Sequence, residues 1–190
     1  MSDSLPQQIV TCRKKILEAV LDCLHNRTEY INAIERTARG DIPVTGIALE
    51  LAPWHGHLGL SLRLTSDFPL GDARFDSASW MHFNFTEGCT APSNAIAKSA
   101  IIELYDRGNA LDSDLCDMAH LLFWVGAEAL LHPSISQLLN EFDIDAPELT
   151  DTFVSSHFEY IVIDPDETIS SNYCDLVLSN RIIHRLLGTV

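Results

Sequence analysis

The stretch that most constrains the fold is residues 44–64, VTGIALELAPWHGHLGLSLRL, where an alternation, a turn and a second alternation follow without interruption. Ile47, Leu49 and Leu51 fall on one face of an extended chain and Glu50 on the other. After Pro53-Trp54-His55-Gly56-His57, the residues Leu58, Leu60, Leu62 and Leu64 share a face opposed by Ser61 and Arg63. Successive side chains of a strand point to opposite sides, so the pattern spells a β-hairpin with one apolar face. That face needs a cover, which the long apolar helical patterns downstream can supply.

The rest of the chain reads as helices around further strands. Ser4 and Pro6 open a helical pattern through Ile9, Ile16, Ala19, Val20 and Cys23 that Asn26 ends, and a second runs from Glu29 to Ala38, with Gly40 as its stop. Ser79 to Phe85 alternates again, with Met81, Phe83 and Phe85 facing one way, which predicts a third strand. Ser93 can cap a helix to Arg107 closed by Gly108, and Asp112 or Ser113 can cap another. That one carries Leu115, Ala119, Leu122, Val125 and Ala129, is apolar most of the way round, and so belongs in the interior. A short helix spans Ile135 to Phe142, and the acidic, Pro147-containing stretch from Asp143 to Thr152 reads as loop. His157 to Ile163 is rich in aromatic and β-branched residues and predicts a fourth strand. After an Asp164-Pro165-Asp166-Glu167 turn, Ser170 or Ser171 caps a last helix through Leu176, Val177, Ile182, Ile183, Leu186 and Leu187. The expected architecture is α+β: one domain over residues 1–190, with a mainly antiparallel sheet of about four or more strands packed on several helices and helical elements at both ends.

Charge narrows the partners. Twelve basic against twenty-seven acidic side chains give a formal net charge of −15, and from Glu141 onward ten acidic residues face only Arg181 and Arg185. Such a field repels nucleic acid and anionic membranes and attracts basic proteins over roughly a Debye length, ~8 Å at physiological salt. The longest apolar run, Leu121 to Gly126, is too short to span a bilayer, and the first fifteen residues lack the apolar segment of a secretory signal. Five scattered cysteines, Cys12, Cys23, Cys89, Cys116 and Cys174, with no C-x-x-C pair, fit reduced thiols in a cytoplasmic protein.

Several places offer chemistry. His55-Gly56-His57 in the hairpin turn can present two imidazoles to one metal, with His82 from a neighbouring strand as a third, while Trp54 on the same tip is an amphipathic anchor of the sort that concentrates binding energy. Asp164, Asp166 and Glu167 on one turn can offer oxygen ligands to a hard divalent cation, although the glycine and distal glutamate of an EF-hand loop are missing. Cys174 opens the last helix, where a thiolate is favoured, but His184 lies ten residues on and cannot pair with it. No G-x-S-x-G, H-E-x-x-H, phosphate-loop or dinucleotide glycine pattern occurs.

The run Tyr160-Ile161-Val162-Ile163-Asp164-Pro165-Asp166-Glu167-Thr168-Ile169 resembles the first motif of the haloacid dehalogenase-like phosphotransferases, a hydrophobic strand ending in D-x-D-x-T. That resemblance implies Asp164 as nucleophile, Asp166 as acid/base and Thr168 as support. In that family a lysine and a distal acidic pair follow the motif. Here twenty-one residues follow Ile169 and none is lysine, so a permuted arrangement would be required. In size, charge and want of a catalytic signature, the whole chain resembles the immunity proteins of bacterial polymorphic-toxin systems. The first reading is a non-catalytic domain of the bacterial cytosol, for which no cofactor and a monomer or homodimer are expected, and the likeness implies a protein partner. The domain would mask a basic protein partner with its acidic C-terminal surface (Asp164, Asp166, Glu167) or its Trp54, His55 and His57 turn. The alternative is a small metal-assisted hydrolase or phosphotransferase-like enzyme built on the Asp164 or His55/His57 turn.

Overall fold

Local chemistry sets most element boundaries. Helix α1 (Leu5–Asn26) begins after Ser4 with a proline in its first turn, where the missing amide hydrogen is no loss, and α2 (Thr28–Ala38) follows directly after Arg27. Strand β1 (Val44–Ala52) turns through one 3-10 turn (Pro53–His55) into β2 (His57–Leu64). Gly56 closes that turn at φ 58, a left-handed conformation that glycine adopts without strain, and a Cβ there would meet Ile102 at 2.6 Å. The chain continues with α3 (Pro92–Ala110), α4 (Leu115–Leu130), α5 (Pro133–Glu141), β3 (Glu159–Ile163) and α6 (Tyr173–Leu187). This computed structural model describes residues 4–38, 43–67, 77–110, 115–148, 157–163 and 171–187.

The sheet is three-stranded and mixed, in the order β2-β1-β3, with β1 antiparallel to β2 and parallel to β3. An α+β architecture is therefore present, but not the mainly antiparallel sheet of four or more strands expected from the sequence. The segment expected as a third strand is a chain of turns, with Asn84 at φ 41 and one isolated bridge, Leu62 to His82. Its alternation of apolar residues does not mark a strand face: Trp80 and Phe85 are buried, while Met81 and Phe83 are 70% and 46% exposed. This segment lies along the outer edge of β2, where Leu62 N–H donates to the His82 carbonyl at 3.1 Å and Leu60 N–H to Thr86 Oγ1 at 3.0 Å. An edge that would otherwise offer unpaired backbone groups is thereby closed.

Both sheet faces are buried. On one, the rows Leu62–Ile47–Tyr160 and Leu60–Leu49–Val162 run across all three strands and pack on the helices, α4 against β1 and β3, α3 against β2, and α6 against β3. Helix α1 lies across α3 and α4 and contributes Cys12, Ile16, Ala19, Val20 and Cys23 to the same continuous core. The expected α4 cap at Asp112 or Ser113 lies outside the described residues. Helix α3 runs on past Gly108 to Ala110.

At β3 the sequence pointed to the wrong cap. Asn172, 5% exposed, accepts from Cys174 N–H at 3.1 Å and so caps α6, while it also accepts from Val162 N–H at 3.0 Å and donates to the Tyr160 carbonyl at 2.7 Å. One side chain thus closes the free edge of the sheet and starts the helix that follows it. Replacing it (Asn172→Ala) leaves three backbone groups without that partner, and a loss of about 3 kcal/mol is expected in urea unfolding, since a buried orphan costs about 1–3 kcal/mol. A loss below about 1 kcal/mol would show that the edge is satisfied some other way.

Candidate functional site

The second sheet face carries polar side chains under a lid formed by residues 77–86. Its first row is Arg63, Gly46 and Glu159, one residue from each strand. Because Gly46 has no side chain, the Arg63 guanidinium lies over β1, 3.5 Å from where a Cβ would stand, and reaches Glu159 at 2.7 Å. Arg63 is 1% exposed and also donates to the Thr45 carbonyl at 3.0 Å, with the Trp80 ring 5.8 Å away. A charge so buried is tolerable only when paired and hydrogen-bonded. The next row, Ser61, Ala48 and Ile161, is again small in the middle, and Trp80 packs onto Ala48 and Ile161. Glu50 is buried beside it and accepts from the Ser61 hydroxyl, while Asn84 N–H donates to Ser61 Oγ at 2.7 Å. Burial holds the Glu50 carboxyl above its ordinary value, against the opposing pull of Ser61 and Ser77. Arg63, Glu159, Glu50 and Ser61 are hydrogen-bonded and covered, the character of a structural polar layer, while the Trp80 indole nitrogen is buried without a hydrogen-bond partner.

The hairpin turn does not protrude as an anchor. Trp54 is half-buried and packs on the core, and the turn lies against α3 and α4, so that only His55 of the three is exposed. His57 is half-buried, and burial, then Lys98, lowers its pKa. His82 stands elsewhere, its Nδ1 2.9 Å from the Tyr30 hydroxyl, with burial lowering its pKa as well. Among the described residues no three His, Cys, Asp or Glu side chains come together as a metal site. Asp164, Asp166, Glu167 and Thr168 lie outside the described residues. Cys174 is buried and its thiol is pushed well up, because desolvation outweighs the helix terminus that was expected to favour a thiolate.

A different feature emerges where α5 ends. Along residues 141–148 exposed Glu141, Asp143, Asp145 and Glu148 alternate with buried Phe142, Ile144 and Ala146. The backbone there is fixed. Asp143 N–H donates to the Asn140 carbonyl at 3.0 Å and Ile144 N–H to the Leu139 carbonyl at 3.1 Å, the pairing of a Schellman termination, with Asp143 at φ 64 in the place usually held by glycine. Asn140 then brackets Ala146, donating to its carbonyl at 2.9 Å and accepting from its N–H at 3.2 Å, and the Tyr160 hydroxyl donates to the Pro147 carbonyl at 2.9 Å. The result is an acidic ridge in which four carboxylates point outward from an ordered backbone. The sequence showed the acids and read the stretch as loop; the Phe142, Ile144, Ala146 alternation was the available signal.

Basic side chains gather elsewhere. Arg13, Lys14 and Arg181 line a groove of about 410 Å³ between α1, the end of α4 and α6, floored by Leu17 and Leu131, with Arg13 paired to Glu128 at 2.7 Å. Exposed large apolar residues include Met81 and Phe83 on the lid and Leu176, Ile183, Leu186 and Leu187 on α6.

No protein-family model, curated protein or solved structure matches this chain.

The buried ionisable groups give a pH signature. Glu50, raised above its ordinary 4.5, contributes stability that is full below that value and is lost as pH rises through the folded value. His57 and His82, lowered from 6.5, act in the other direction: their contribution is present above 6.5 and lost as pH falls. In melts from pH 4 to 8, Glu50→Gln is expected to equal or exceed the native chain at neutral pH and to flatten the Glu50 limb, leaving the histidine limb in place. An unchanged profile would contradict the assignment.

Proposed function

We propose that this chain is a non-catalytic protein-binding domain whose partner is a basic protein, engaged through the acidic ridge of residues 141–148. The observation that carries the reading is the alternation there: Phe142, Ile144 and Ala146 are buried, and every carboxylate between and beside them is exposed. The Schellman termination, with Asp143 at φ 64, is a second support, because it fixes the backbone from which the neighbouring carboxylates project. A formal charge of −15 steers a cationic partner toward the domain, and a ridge with little freedom left loses little entropy on docking.

In kind, this is the role of an immunity protein that masks a basic toxin in the bacterial cytoplasm. Asp164, Asp166 and Glu167 add three further carboxylates to the same C-terminal part of the sequence, and His55 is the exposed group of the hairpin turn. Neutralising the ridge in one variant (Glu141→Gln, Asp143→Asn, Asp145→Asn, Glu148→Gln) keeps its shape, since asparagine tolerates the left-handed position. Native and variant chains, immobilised side by side in lysate of the source cells, are expected to differ in one basic protein. The native chain should retain it at low salt, the variant should bind it about tenfold more weakly, and the gap should close in high salt, where surface charge is screened. Identical retention on both chains would contradict the reading.

A further inference from the structure

Cys23, near the end of α1, and Cys89, in the segment that leads into α3, are 66 residues apart in sequence, yet the Cys23 thiol donates to the Cys89 sulfur at 3.4 Å. Both are free thiols. The two differ in access: Cys23 is fully buried, while Cys89 is only partly buried. The residue before Cys89, Gly88, stands at φ 73 with nothing within 4 Å of where its Cβ would be, so the backbone leading to Cys89 is open to solvent at that point. We propose that Cys23 and Cys89 are a site of reversible disulfide formation that responds to low-molecular-weight disulfides such as glutathione disulfide.

Closing the bond requires the sulfurs to approach by roughly 1.4 Å, to the ~2.05 Å of a disulfide. Accessibility sets the order of events. Burial, followed by the hydrogen bond to Cys89, pushes the Cys23 thiol up to about 12, and Asp22 adds to this while Lys98 opposes it, so Cys23 stays protonated. Cys89 attacks one sulfur of the small disulfide, whose S–S bond breaks and releases one small thiol. With Cys89 held in the mixed disulfide, the hydrogen bond and charge of Cys89 that helped to hold the Cys23 proton are gone; Cys23 releases its proton, its thiolate attacks the Cys89 sulfur, the bond from Cys89 to the small thiol breaks, and that second small thiolate leaves and takes up a proton. Both protein thiol protons end on the two small thiols, the protein loses two electrons and the reagent gains them.

The bond would tie α1 to the segment behind the lid, around a loop that contains the whole β-hairpin. The lid already rests on this side of the molecule: Phe85 stacks on Tyr30 of α2 with centroids 5.9 Å apart, and Arg27 donates to the Glu87 carbonyl. Oxidation therefore fixes an arrangement the reduced chain has already adopted, and it should restrict the unfolded chain more than it strains the folded one.

The test is to incubate the folded native chain with glutathione disulfide, measure its intact mass, map its cross-links without reduction and melt it before and after. A chain lighter by two hydrogens, a cross-link between Cys23 and Cys89, and a Tm rise of about 5 °C reversed by dithiothreitol are expected. Cys89→Ala should form no such link, and because the native chain is mapped directly, poor folding of that variant does not decide the matter. A glutathione adduct that persists on Cys89, cross-links dominated by other cysteine pairs, or an unshifted Tm would each overturn the proposal.

Discussion

The structure depends first on a charge pair, its arginine buried and its glutamate partly so, that spans a strand it does not belong to. Arg63 on β2 meets Glu159 on β3 only because Gly46, between them on β1, leaves the guanidinium room to cross. Desolvating a guanidinium is expensive, so the pair cannot be explained as simple stabilisation: an apolar layer of the same shape would hold the sheet at least as well. What the pair adds is a specified arrangement. It fixes which residue of β3 lies opposite Gly46, and a slip of one residue would turn Tyr160 and Val162 away from the helices and leave Arg63 buried without its carboxylate.

That register reaches the surface. Once Glu159 is fixed, Tyr160 is held on the core face, where its hydroxyl donates to the Pro147 carbonyl and Ser136 of α5 lies beside it. Asn140 and the Schellman termination of α5 order the preceding backbone, and the four carboxylates of the ridge inherit their directions from these contacts. The acidic face is thus an extension of the sheet's order rather than a loose tail. The groove between α1, α4 and α6, by contrast, is of mixed charge, with Arg13 paired to Glu128 and Lys14 to Glu18.

The sequence revealed the local features. The hairpin, its apolar face, the boundaries of α1 and the buried character of α4 follow from periodicity and turn chemistry, which a short window contains. What it concealed is non-local. The parallel partnership of β1 and β3 joins segments separated by more than a hundred residues, and no pattern in either one names the other. Residues 79–85 carry the alternation of a strand but are folded by turns around Trp80 and Asn84, so a period of two there came from another cause. Two serines ahead of α6 drew attention from Asn172, whose extra reach lets it serve a strand and a helix together. At the ridge the alternation was present, but an acidic stretch containing a proline invited a loop assignment, and the contacts that order it come from Asn140 and Tyr160.

The most direct test of this account is a double-mutant cycle on the pair itself, with Arg63→Met, Glu159→Gln and the double variant compared in urea unfolding. Glu159→Gln takes the carboxylate from a guanidinium that is 1% exposed and should be strongly destabilising, Arg63→Met should cost less because Glu159 is only partly buried, and the double variant should recover much of the Glu159→Gln loss, with a coupling of about 2 kcal/mol or more. Single-variant losses that simply add, within about 0.5 kcal/mol, would contradict the claim that this contact sets the register of the sheet.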